Sequence, residues 1–150
     1  MQTKAASISG RCHCGNIKLS FESSLPVDQL PVRACACSFC RAHGARSTSN
    51  PNGRVQITVH NSEHLIRYRF GLKTADFLVC GRCGVYVAAV VTVGSASYAT
   101  VNVNMLDSAK NFPQARSVSY EGESAAERIR RRKKNWTPAV VIIADAAGAR

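Results

Sequence analysis

The chain has 150 residues, 45% of them hydrophobic, and carries a formal charge of +11 at pH 7. That length suits a single core of ordinary globular composition, and its longest apolar stretch, Val85 to Val93, falls far short of the roughly 20 residues of a helical membrane span. The basic balance favours anionic partners: a carboxylate-bearing small molecule, an acidic protein surface or nucleic acid.

Met1 to Gly10 lacks the apolar core of a signal peptide, so the expected setting is reducing and cytoplasmic. Cys12-His13-Cys14-Gly15 then leads into a strand in which Ile17, Leu19 and Phe21 alternate with Lys18 and Ser20. Cys35, Cys37 and Cys40 come next, and Ser38 to Ala45 reads as a short helical turn. Asn50-Pro51-Asn52-Gly53 is a turn before a second strand, Val55, Ile57 and Val59 alternating with Gln56 and Thr58, and Asn61-Ser62 marks another turn. Tyr68 and Phe70 alternate with Arg67 and Arg69.

Cys80-Gly81-Arg82-Cys83-Gly84 opens a β-branched run to Val93 that suits burial on both faces. Val101, Val103 and Met105 alternate with Asn102 and Asn104, and Val118 and Tyr120 start a further strand. Ser124 with Glu127 forms a capping box for a helix to Asn135, and Pro138 to Ile143 reads as a late strand. The chain is therefore mainly β, with at most one or two short helices.

The seven cysteines fall into three clusters. An odd count strands one thiol in any disulfide scheme, residues two apart make strained disulfide partners, and both can point at one metal instead. All-thiolate sites favour zinc. A closed structural site takes four ligands, whereas a catalytic zinc keeps three and leaves one position open. Cys12, Cys14, Cys80 and Cys83 make a set of four, each pair a knuckle whose glycine permits the positive φ that turns backbone N–H groups toward sulfur. Cys35, Cys37 and Cys40 make a set of three, with His43, His13, a water or an exogenous thiol as candidates for the fourth position. Two zinc ions per chain are expected. His60 and His64 stand at i and i+4, but their surroundings read as strand and turn, so they are taken as surface residues.

An open, thiolate-rich zinc accepts another thiolate and leaves its sulfur placed to add to an aldehyde carbon. Arg41, Arg46 and Arg33 are the nearby cations suited to carboxylates of such a thiol.

Gly10-x-Cys12-His13-Cys14-Gly15, Cys35-x-Cys37-Ser38-x-Cys40-Arg41-x-x-Gly44 and Cys80-x-x-Cys83-Gly84, in that order, resemble the glutathione-dependent formaldehyde-activating enzyme family, which includes the domain of centromere protein V. The Leu106-Asp107 pair and Trp136 are similar to its C-terminal half. The resemblance spans roughly residues 10 to 136 of a single domain, between a short polar N-terminal tail and an Ala-rich C-terminal tail. It implies a β-tent of small antiparallel sheets joined by zinc knuckles, with structural zinc on Cys12, Cys14, Cys80 and Cys83 and catalytic zinc on Cys35, Cys37 and Cys40. The implied activity is that of a carbon–sulfur lyase, reversibly forming S-hydroxymethylglutathione from glutathione and formaldehyde. Ala36 stands where members often carry a polar residue or histidine, and Val79 where an aromatic is expected, with Phe77 near.

The competing expectation is a non-catalytic binding module. In it both zincs are structural, and Arg128 to Lys134, six cations in seven residues, contacts nucleic acid or an acidic protein.

Overall fold

The computed structural model describes residues 5–145. The outermost residues of both expected tails lie outside that range, but Ala6–Arg11 of the polar N-terminal segment forms strand β1. Among the described residues the fold is mainly β with two α-helices, as the periodicity predicts.

β1 pairs antiparallel with β2 (Ile17–Ser23), whose alternating Ile17, Leu19 and Phe21 are buried, and β2 pairs with β5 (Gly53–Val59). The short β3 (Val32–Cys35) and β4 (Ser47–Thr48) flank α1 (Ser38–His43). A second set runs antiparallel through β6 (Leu65–Tyr68), β7 (Asp76–Cys80), β8 (Tyr86–Val93) and β9 (Ala96–Asn102). β10 (Arg116–Val118), α2 (Ala125–Asn135) and β11 (Thr137–Ile143) complete the chain.

β9 is where the sheet divides. One edge pairs with β8; the other is shared, Ser97–Ala99 pairing with β11 and Val101–Asn102 with β4. β11 divides likewise, Thr137–Ala139 lying on β9 and Ala139–Ile143 running parallel to β5. β10 is parallel to β3. These two parallel pairings supplement the antiparallel pattern expected, and each joins strands separated by a long crossover.

Two apolar clusters lie on the two faces of β8. Val87, Ala88 and Val90 face the larger one; Tyr86, Ala89 and Val91 face the smaller, which also holds Cys40 and Trp136. The register slips between Leu78 and Val79, which oppose Ala88 and Tyr86, so Val87 is bulged out of the ladder. The bulge is what turns Tyr86 onto the same face as Cys40.

The alternation from Val101 to Met105 does not continue as strand. β9 stops at Asn102, whose side chain accepts from Asn104 N at 3.1 Å and donates to Tyr86 O at 2.8 Å, and Val103–Met105 forms a 3₁₀ turn. Likewise Phe70 lies beyond the end of β6.

Candidate metal centres and substrate cavity

Both glycine knuckles share one construction. Cys12 N donates to Ile17 O at 2.9 Å and Cys80 N to Val85 O at 3.0 Å, while Gly15 and Gly84 return N–H bonds to the carbonyls of Cys12 and Cys80. Their φ angles, 84° and 81°, are ones that glycine adopts without strain. Ile17 N also donates to Cys12 Sγ at 3.2 Å, so the turn aims an N–H at sulfur as its glycine predicts. The sulfurs of Cys12, Cys14, Cys80 and Cys83 all lie within 4.8 Å of one another, an arrangement able to hold a metal ion.

The middle cluster is built by the start of α1. Cys35 ends β3, Cys37 is the N-cap of α1 and accepts from Cys40 N at 3.4 Å, and the helix turn brings Cys40 back beneath it. Their three sulfurs also lie within 4.8 Å of one another. Gly44, with φ of 57°, ends the helix as its left-handed cap.

Among the described residues no histidine joins either set. His13 is exposed, and His43 packs on the Phe39 ring at 4.4 Å between centroids. His60 is exposed and His64 half-buried in a 3₁₀ turn.

The electrostatics of the triplet fit a cation. Cys37 is drawn down to about 2, first by the Cys35 and then by the Cys40 thiol. Cys40 is pushed well above the ordinary thiol value by those same two neighbours and by burial, and Cys35 is raised mainly by Cys37. Three thiolates at this spacing repel one another, so without a counter-charge one ionises at the expense of the rest. In the outer set burial pushes Cys12 up to about 12. Burial opposes ionisation of Cys83 too, but N–H bonds from Cys14 and Val85, with the Cys80 and Cys12 thiols, bring it down to about 6. None of the seven cysteines is in a disulfide.

The two sets differ in what lies beside them. Cys35, Cys37 and Cys40 border a cavity of about 350 Å³, and no member of the outer set does. Phe70, Phe77, Tyr86 and Trp136 give it an aromatic side. Arg33, Arg128, Arg131 and Arg132 give it a basic one. Tyr86 is fully buried, which raises its phenol well above the ordinary value and keeps it protonated.

Arg41 and Arg46 do not line the cavity. Arg41 is exposed, and Arg46 Nε donates to Asn104 Oδ1 at 2.8 Å. Arg33 does line it. So do three residues of the basic run, whose remaining cations, Arg130, Lys133 and Lys134, are exposed. The arginines at 128, 131 and 132 recur at the three-to-four spacing of one helix face, with the lysines off it; that spacing is the signal for an inward basic face, and the capping box fixes its phase.

Residues 7–121 match the model of the glutathione-dependent formaldehyde-activating enzyme family. The chain belongs to that family. A crystal structure of a Rhodobacter sphaeroides protein is similar at 28% identity, covering 73% of this chain and 99% of that one with a TM-score of 0.50. Among curated proteins none matches.

The strand that leads into the first knuckle has no room for a side chain at Gly10. A Cβ there would lie 2.7 Å from Met105 O and 2.9 Å from Leu106 Cδ2, because Gly10 bridges to Leu106 and Ser9 O accepts from Asp107 N at 2.9 Å. The Leu106-Asp107 pair thus seats the strand that enters the first knuckle.

Proposed function

We propose that the protein promotes reversible addition of a thiol, glutathione being the first candidate, to a small aldehyde such as formaldehyde, as a zinc-dependent carbon–sulfur lyase. The observation that carries this reading is the contrast between the two cysteine sets: four sulfurs away from the cavity, three on its wall.

Cys12, Cys14, Cys80 and Cys83 would hold a structural zinc, and Cys35, Cys37 and Cys40 a second. Zinc in the three-sulfur site supplies positive charge that keeps thiols deprotonated at neutral pH, with one position left for a further ligand. The chain's own residues do the rest. The Cys37 cap and the Cys40 turn fix the three sulfurs at one corner of the cavity. Phe70, Phe77 and Trp136 exclude water from the aldehyde, and the arginines draw in an anionic thiol. In the addition the sulfur–carbon bond forms as the carbonyl π bond breaks, and the oxygen takes up the proton that the thiol gave up on ionising. Tyr86, which burial keeps protonated on the cavity wall, can donate a hydrogen bond to that oxygen as charge develops on it. A reducing, cytoplasmic setting suits seven cysteines without a disulfide among them.

The binding-module reading has less support, since Arg128, Arg131 and Arg132 line the cavity and leave three cations of the run exposed. The test is metal content together with rate. Wild type should carry two zinc equivalents and Cys37→Ser one, with formation of the glutathione–formaldehyde adduct falling to the uncatalysed rate in the variant. Two retained equivalents, or an unchanged rate, would remove the triplet from the mechanism.

A further inference from the structure

Arg132 is only 8% exposed, yet among the described residues no carboxylate pairs with it. Its Nη1 donates to Thr74 Oγ1 at 2.7 Å, its guanidinium carbon lies 4.8 Å from the Trp136 ring centroid, and its Nε has no hydrogen-bond partner. A guanidinium carries five N–H donors, so most of these find no acceptor in the protein. A buried cation left in that state is costly unless something else satisfies it.

The neighbouring charges do not satisfy it. Glu123 is engaged by Arg128 at 3.4 Å and by Arg131 at 2.8 Å, and Arg131 also stacks on Tyr120 at 3.4 Å. Glu121, the one acidic residue on the cavity wall, is exposed and forms no ion pair among the described residues. Arg33 has the same character: it faces the cavity, donates to the Ser49 hydroxyl and has no acidic partner. Ser49 Oγ in turn donates to Asn135 O at 2.8 Å, which links the Arg33 side chain to the end of α2, and both arginines line the same cavity. Burial and the neighbouring Arg131 lower Arg132 to about 10, which leaves it charged at neutral pH.

We propose that Arg132 and Arg33 form a carboxylate-binding site in the cavity wall, selecting the thiol substrate as an anion whose carboxylate rests on the two guanidiniums while its sulfur reaches the Cys35, Cys37 and Cys40 cluster. The guanidinium fork matches a carboxylate in two parallel bonds, which a lysine cannot do. The inference rests on the thiol reading above. The helix that carries Arg132 lies beyond residues 7–121, so the family assignment does not itself supply this site.

The site can be measured without any aldehyde and without turnover. The probe is S-methylglutathione, whose sulfur is blocked, titrated calorimetrically into the zinc-loaded protein beside its diethyl ester, which lacks both carboxylates. Wild type should bind the acid about tenfold or more tighter than the ester. Arg132→Gln and Arg33→Gln should each weaken the acid about tenfold while leaving the ester unchanged, and Arg132→Lys should restore part of the loss. Thermal unfolding of each variant checks folding; should Arg132→Gln fail to fold, Arg33→Gln and Arg132→Lys decide the question. Equal affinity of wild type for acid and ester, no binding of the acid, or full affinity in folded Arg33→Gln and Arg132→Lys would overturn the proposal. Adduct formation without carboxylate discrimination would sink this site and keep the thiol chemistry. Carboxylate discrimination without adduct formation would do the reverse.

Discussion

Cys14 Sγ lies 3.6 Å from Cys80 Sγ, although 66 residues separate them in the chain. The first belongs to the turn between β1 and β2; the second is the last residue of β7, where the turn to β8 begins. These strands are not hydrogen-bonded neighbours: in sheet order β5, β11, β9 and β8 lie between β2 and β7. A metal held by the outer set would therefore tie together strands that lie apart in the sheet, and its binding energy would be folding energy. Cys80→Ser should lower Tm by about 10 °C or more, whereas Cys37→Ser, beside the cavity, should cost much less. Equal losses measured by calorimetry would contradict the division of labour.

Gly10→Ala tests how the first knuckle is seated. The added methyl meets a backbone carbonyl at 2.7 Å, which cannot swing aside as a side chain can. A loss of about 1–3 kcal/mol is expected, against under about 0.5 kcal/mol for the exposed neighbour Ser9→Ala. Denaturant unfolding of the two variants reads the difference, and equal midpoints would show that the close approach is not maintained.

Glu123 makes the docking of α2 sensitive to acid. Its hydrogen bond from Arg131, and then that from Arg128, holds its carboxyl below the ordinary value of 4.5. A depressed carboxylate pKa stabilises the fold above that ordinary value, and the contribution fades as pH falls through the lower, folded one. At neutral pH Glu123→Gln should cost about 1 kcal/mol or less, as for a partly exposed pair, and the gap from wild type should close in acid. Tm measured against pH in both proteins is the check, and a gap that stays constant below pH 4.5 would refute it.

Phe39 sits between Cys37 and Cys40 and packs on Phe77 at 4.9 Å and Tyr86 at 5.0 Å, ring centroid to ring centroid. Truncation to alanine removes the packing that holds the start of α1. A loss of about 2 kcal/mol is expected, with weaker retention of one zinc equivalent and the other unchanged. Chelator titration followed by metal analysis distinguishes the two equivalents.

The strands around the cysteines were legible because alternation and turn chemistry coincide there: the apolar positions from Ile17 to Phe21 and from Val55 to Val59 are buried, as is the run from Tyr86 to Val91. Grouping seven cysteines as four and three needed only ligand arithmetic, and the sulfur distances agree with it. β3, β4 and β10 carry too few residues to show a period. The cavity was harder to see, since its basic wall comes from α2 and from Arg33 of β3, and its aromatic wall from β7, β8, Phe70 beyond β6 and Trp136 at the end of α2, brought together by the fork at β9 and by a bulge at Val87. Proximity in sequence pointed to Arg41 and Arg46 as carboxylate contacts; α1 leaves Arg41 exposed, and Asn104 holds Arg46.

Exchange spectroscopy of formaldehyde, glutathione and their adduct, with zinc-loaded protein and with Cys40→Ser, tests the central claim most directly. The two reactants combine spontaneously, so the observable is acceleration of exchange. The account predicts faster exchange in wild type and the uncatalysed rate in a folded Cys40→Ser protein. No acceleration in wild type carrying two zincs, or equal acceleration in the variant, would contradict it.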